Sequence, residues 1–285
     1  MAIAYDASRI ALLQPERRDT VFRDGPPASA EALAAEAARL AYLRVEESQA
    51  ERDRLAAALA LAGFDPPALF NDPATDGQGY GALRTDGFGL LVFRGTQPDR
   101  LGDLATDLGF VFSPLDHGAG QVHAGFRGTA LSLWPEVNAW LDGPARRRQG
   151  LMVCGHSLGA AIATLLARPA QATHLITIGS PRVGDANFAA GITATLGLEV
   201  TRIVDCCDVV TEIPPTQAGF EHAGRLTYID RNGGVAANAA TEFINADRLQ
   251  ARIDYLAQHA FRFGTVLSRD LADHAPVNYV RAFWP

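Results

Sequence analysis

Gly155-His156-Ser157-Leu158-Gly159 follows directly on the short apolar run Leu151–Cys154 and opens Leu158–Ala167, a stretch patterned as a helix. G-x-S-x-G between a strand and a helix is the arrangement of a nucleophile elbow, and it restricts the possible folds more than any other feature of the chain. The turn has to be sharp. It forces the serine into a strained backbone conformation, while a glycine two residues to either side lets strand and helix approach and leaves the hydroxyl projecting. The positive end of the following helix would face any anion formed at Ser157. A serine that merely capped this helix would leave both glycines unexplained.

An elbow of this kind needs a parallel sheet with crossover helices, and the rest of the chain is patterned to supply one. Leu151–Cys154, His174–Ile178 and Val200–Val204 are short apolar runs separated by helical stretches, as parallel strands are. Tyr80–Arg84 and Phe88–Phe93 flank Thr85-Asp86-Gly87, which predicts a hairpin whose second strand lies deep in the sheet. An N-terminal helical segment at about 29–62 divides in two. Ser29 caps one helix through about Glu46, and Ser48 with Glu51 forms a capping box for a second that ends at Gly63. Leu33, Leu40, Leu43, Leu55 and Leu59 give these helices apolar faces suited to covering a sheet. Asp247–His259 reads as an amphipathic helix with Leu249, Ile253 and Leu256 on one side. With no internal repeat or long linker, 1–285 is expected to form a single α/β domain, and 48% hydrophobic residues suffice for one large core.

A net charge of −7 argues against a nucleic-acid partner, because neutralising phosphates would need a basic face. The N-terminus lacks the basic start, long apolar run and cleavage site of a secretory signal, and no stretch is long and apolar enough to cross a bilayer. A cytoplasmic chain is therefore expected, unless export uses another route. Cys154 lies in a strand pattern and Cys206 and Cys207 are adjacent, so buried or idle thiols are expected rather than a disulfide framework. No spacing of His and Cys reads as a metal site, and no phosphate loop or dinucleotide fingerprint occurs; no cofactor is expected.

His156-Ser157-Leu158-Gly159, together with Val92-Phe93-Arg94-Gly95-Thr96 and Val122-His123-Ala124-Gly125-Phe126 upstream, resembles the class 3 lipases, the family of the filamentous-fungal triacylglycerol lipases. Gly179-Ser180-Pro181-Arg182-Val183-Gly184 resembles the family's strand-end segment, and similarity runs from about Ala30 to the C-terminus. The resemblance implies an α/β-hydrolase fold, with a mostly parallel central sheet and helices on both faces. It also implies a serine carboxylic-ester hydrolase, a lipase or esterase acting through an acyl-enzyme on lipid or short-chain esters.

A serine hydroxyl needs a histidine to take its proton and an acid to orient that histidine, and in this fold they follow in the order serine, acid, histidine. Of the later histidines, His174 lies in a strand pattern and His259 on a helix, leaving His222 and His274. His274, in Asp273-His274-Ala275-Pro276-Val277-Asn278-Tyr279, resembles the family's C-terminal catalytic histidine, usually followed by a tyrosine; His222 remains the alternative. Asp205 and Asp208 both follow the strand Val200–Val204, where a loop acid belongs. Asp208, before two aliphatic residues and a later Pro-Pro pair, matches the family's acid, although Thr211 and Glu212 depart from its pattern. Asp205 would be a loop carboxylate bonded to backbone amides.

The oxyanion formed on an ester calls for preorganised donors, one of them the amide of Leu158. By resemblance the second is Thr96, through its amide and hydroxyl, with Asp107 as a candidate support for that hydroxyl. Gln97–Thr106 corresponds to the family's lid, but Leu101, Leu104 and Ala105 give it a thin apolar edge and Gly102 lowers its helicity, which favours small or soluble esters. Two other function classes remain open: acyl transfer or thioester cleavage by the same serine, and an acyl-ligand-binding scaffold without turnover. Acyl-ester substrates are the expected partners, with transient contact at a lipid–water interface.

Overall fold

A computed structural model of the chain describes residues 3–96, 109–115, 120–259 and 262–284. Strands β1 (Ala68–Asp72), β2 (Gly77–Leu83), β3 (Phe88–Phe93), β6 (Gly150–His156), β7 (His174–Ile178), β8 (Glu199–Asp205), β9 (Arg225–Ile229) and β10 (Val235–Ala237) form one sheet in that order. The five from β3 to β9 run parallel and the outer pairings are antiparallel. A second, two-stranded sheet joins β4 (Phe112–Pro114) to β5 (Gln121–His123). The expected hairpin is present as β2 and β3, turned at Gly87, whose φ of +84° is the left-handed conformation that a glycine adopts without strain.

Side chains alternate across a strand, so central strands that are apolar throughout feed two cores. Leu90, Val92, Met152, Cys154, Ile176 and Ile178 face one side, under helices α2 (Ala30–Leu40) and α3 (Gln49–Leu61). Leu91, Phe93, Leu151, Val153 and Leu175 face the other, under α4 (Ala124–Asp142), α5 (Leu158–Leu166) and α6 (Ala186–Thr193). This is the expected α/β-hydrolase layering, helices on both faces of a mostly parallel sheet.

The two N-terminal helices start where their serines predict: Ser29 Oγ accepts from Ala32 N and Ser48 Oγ from Glu51 N. Leu33, Leu40, Leu43, Leu55 and Leu59 are all buried. The first helix is shorter than expected, ending at Leu40 rather than near Glu46. Its last turn tightens, with Tyr42 N bonding Arg39 O and Leu43 N bonding Leu40 O, and so drives both side chains into the core. A second correction concerns α7 (Thr241–His259). The helix is present, but Leu249, Ile253 and Leu256 are each more than half exposed, and the side packed inward carries Asp247, Ala251 and Tyr255. Asp247 tolerates burial because Tyr228 Oη, Arg231 N and Arg231 Nη1 donate to it at 2.9–3.0 Å. Cys154, Cys206 and Cys207 are buried and free. Among the described residues no helix is long and apolar enough to cross a membrane.

Candidate active site

The elbow stands between β6 and α5, and its glycines have identifiable neighbours. A Cβ at Gly155 would run into the backbone of Gly159, and one at Gly159 into the carbonyl of Phe93 at the end of β3. The first glycine closes the turn and the second draws β3, with the Thr96 segment, against the helix. Ser157 has φ +58° and ψ −129°, a conformation costing on the order of 1–3 kcal/mol that the surrounding structure must impose. Its amide bonds Ile178 O at 3.0 Å. The side chain makes no helix-cap bond. Instead its Oγ lies 3.0 Å from Nε2 of His274.

His274 is delivered by the turn between α8 (Arg269–Ala272) and α9 (Pro276–Phe283). Its Nδ1 lies 2.9 Å from both carboxylate oxygens of Asp208, in the turn just beyond the end of β8 at Asp205. A carboxylate only accepts, so Nδ1 carries the proton and Nε2 presents a lone pair to the serine hydroxyl. Asp208 also accepts from Val210 N at 2.9 Å and from Tyr279 Oη at 2.5 Å. Gly179, at φ +55°, makes room for it: a Cβ there would lie 2.7 Å from Asp208 Oδ2. Ser157, Asp208 and His274 are all fully or almost fully buried. The Tyr279 phenol, buried beside two aspartates, is held well above its usual pKa and stays a donor.

The ring of His156 lies against that of His274, tilted by 36° with centroids 4.5 Å apart, and its Nε2 bonds the His274 carbonyl at 2.9 Å. Burial, with His274 adding to it, holds the His156 pKa well below the imidazole range, so the ring is neutral. On the far side of the elbow, Gly95 lies against Ser157. Arg94, almost fully buried, fixes that strand end through Asp76 at 2.7 Å, Glu46 at 3.4 Å and Gln78. Thr96 Oγ1 is buried and has no hydrogen-bond partner among the described residues. Leu158 is the first residue of α5, where backbone N–H groups lack intrahelical acceptors. His123 caps α4, its Nδ1 accepting from Gly125 N and Phe126 N, which gives the Val122–Phe126 motif a structural reason.

Of the other expected residues, His222 bonds none of Ser157, Asp208 and His274 among the described residues. Its Nε2 bonds Thr211 O at 2.8 Å, and burial, then Arg202, keep it neutral. Asp205 does not bond backbone amides as expected. Both its oxygens are buried without a partner among the described residues, and burial with neighbouring Asp273 raises its pKa well above the carboxylate range. The nearby amide of Cys207 donates to Asp273 Oδ2 at 3.0 Å instead. Cys206, Cys207 and Asp273 come within ligating reach of one another, but Arg269 Nε at 3.0 Å and Tyr5 Oη at 2.8 Å already engage that carboxylate. Asp107 and the lid expectation at 97–106 lie outside the described residues. Sequence reasoning missed the roles of Tyr42, His156 and Arg94.

Residues 90–218 match the class 3 lipase family. Lipases of Rhizopus niveus and Rhizomucor miehei are 34% and 32% identical, over 56% and 53% of this chain. Those alignments cover 43% and 44% of the relatives, so the chain spans less than half the length of these curated proteins. Among solved structures, a lipase from Rhizopus microsporus var. chinensis is 25% identical with a TM-score of 0.59, over 72% of this chain and 76% of that one. A triacylglycerol lipase whose catalytic centre is described as a serine protease triad shares the fold, with a TM-score of 0.62 at 24% identity over 85% and 94% of the two chains. A relative from Fusarium solani, 34% identical over 38% of this chain and 34% of its own length, is a secreted mono- and diacylglycerol lipase. That finding overturns the expectation of a cytoplasmic chain, which rested on the N-terminal residues alone. Through the Thr96 strand end, the Ser157 elbow and the Asp208 loop, this chain is similar to the class 3 lipases.

Proposed function

We propose that the chain is a serine carboxylic-ester hydrolase working through an acyl-enzyme, with Ser157 as nucleophile, His274 as base and Asp208 as the orienting acid. The observation that carries this reading is the unbroken relay from Asp208 through His274 to Ser157, at 2.9 and 3.0 Å, on a strained elbow. As Ser157 Oγ attacks the ester carbonyl, its proton passes to His274 Nε2, and the resulting imidazolium is stabilised by Asp208. The carbonyl oxygen becomes an oxyanion, for which the Leu158 amide and the Thr96 amide and hydroxyl are the donors. The Thr96 hydroxyl, unpartnered among the described residues, is a donor without a competing acceptor there. Collapse expels the alcohol, protonated by His274; water, deprotonated by the same ring, then releases the acid.

The substrates are then acyl esters, lipid or short-chain, met in solution or at a lipid–water interface. Steady-state turnover of a nitrophenyl ester series of rising acyl length tests both the reaction and the chain-length preference. The reading predicts hydrolysis by the wild type and none above background by Ser157→Ala; equal rates from the two proteins would contradict it.

A further inference from the structure

Tyr42 lies in the turn that ends α2, outside the family-matched segment, yet its hydroxyl reaches the centre of the elbow. Its Oη is 2.7 Å from His156 Nδ1, and the residue is only 2% exposed. His156 Nε2 faces the carbonyl of His274, which can only accept, so the proton of this neutral ring sits on Nε2. Nδ1 is left with a lone pair, and the Tyr42 hydroxyl must donate to it. Gly95 packs directly against the same phenol oxygen, and a methyl group at Gly95 would collide with it. One hydroxyl therefore touches the strand end that carries Thr96 and is linked by hydrogen bonds through His156 to the main chain that carries His274.

We propose that Tyr42 is a positioning residue for the ester hydrolysis assigned above: through His156 it fixes the main chain of His274, and through Gly95 it fixes the segment presenting Thr96. The inference rests on that functional reading. Both ends of the reaction geometry, the base and the oxyanion donor, are set from one atom. Loss of the hydroxyl leaves Nδ1 of His156 buried without a donor and frees both segments to shift. A displacement of about 1 Å is enough to cost on the order of a hundredfold in rate.

The test compares Tyr42→Phe with Tyr80→Phe. Tyr80 is an equally buried tyrosine whose hydroxyl bonds the same helix, at Ala37 O and 2.9 Å, without touching the elbow. Both variants lose one buried hydrogen bond to the N-terminal helical segment, so a purely structural role predicts the same outcome for both. The proposal predicts that kcat for a nitrophenyl ester falls about tenfold or more in Tyr42→Phe with KM little changed, while Tyr80→Phe keeps wild-type kcat. Comparable kcat in the two variants would overturn it. Nitrogen-detected NMR of the histidine rings gives a readout independent of turnover: His274 resonances move in Tyr42→Phe and stay in place in Tyr80→Phe, and unmoved His274 resonances in both would equally overturn it. An inactive wild type would count against the hydrolase reading, and the ring resonances would still decide the coupling.

Discussion

Asp208→Asn replaces a carboxylate that receives three hydrogens with an amide that can receive them on one atom only. The donors are His274 Nδ1, Tyr279 Oη and Val210 N. The backbone donor at Val210 cannot reorient, so the amide oxygen stays at the Oδ1 position and the NH2 group occupies that of Oδ2. There it points hydrogens at Tyr279, whose hydroxyl can rotate to accept, and at His274 Nδ1, which lies 2.9 Å from both positions and meets the NH2 group by moving its proton to Nε2. The ring then presents N–H to Ser157 and cannot take the serine proton. The same tautomer exchange in a serine-protease triad costs about 10⁴ in kcat, or ~5.4 kcal/mol at 1.36 kcal/mol per tenfold. The expected result is a folded protein whose kcat for a nitrophenyl ester falls by about four powers of ten with little change in KM. Retention of a tenth or more of wild-type kcat would refute this hydrogen-bond assignment.

The structure separates His274 from His222 and His156, and Asp208 from Asp205, and each difference can be measured. His274→Ala abolishes turnover to within the residual ~10³–10⁴-fold catalysis left without a triad member, whereas His222→Ala retains turnover in whatever fraction folds; the reverse pattern in ester assays would reassign the base. His156 and His222 are held neutral, with pKa values well below the usual one, so below about pH 6.5 the unfolded chain binds protons that the folded chain refuses. Their contribution to stability is complete above that pH and declines as pH falls, by up to about 1.4 kcal/mol per unit for each ring. His222→Gln should therefore lose less Tm than the wild type between about pH 7 and pH 5, and equal losses would contradict the assignment. Asp205 has the opposite sign. Its raised pKa stabilises the fold fully below the unfolded value of about 3.9, and that stabilisation is lost as pH rises toward the folded pKa. Asp205→Asn should gain Tm relative to wild type as pH rises from about 5 to 8, and a difference independent of pH would show that Asp205 is ionised in the fold.

How much of this was legible in the sequence depends on how local each interaction is. The elbow, the hairpin and the parallel strands were readable because each is written within a few residues, in glycine placement and in apolar runs. Asp208 and His274 were readable by motif and chain order, since both sit just after recognisable segments. The supports of His274 were not readable. Tyr5 bonds Asp273 at 2.8 Å, and Asp6 N and O bond the Asn278 side chain at 2.9 and 3.0 Å, across some 270 residues of chain. The N-terminal residues therefore clasp the loop that carries His274, and no periodicity announces that. In the sequence Tyr42 is one more apolar position after a leucine-rich helix, and His156 fills an x of G-x-S-x-G. Helix α7 shows the other limit. Its spacing identifies an apolar side, but the direction of that side depends on partners for Asp247 and Tyr255 that come from β9 and the loops after it and before α8.

The central claim is that Ser157 is an activated nucleophile held by His274 and Asp208, and covalent labelling by a fluorophosphonate tests it most directly. Intact-mass and peptide analysis of the labelled protein should find one adduct per chain, located on Ser157. The adduct should be absent from Ser157→Ala and much slower to form in His274→Ala. Failure of the folded wild type to react, or an adduct on another residue with Ser157 free, would contradict the claim.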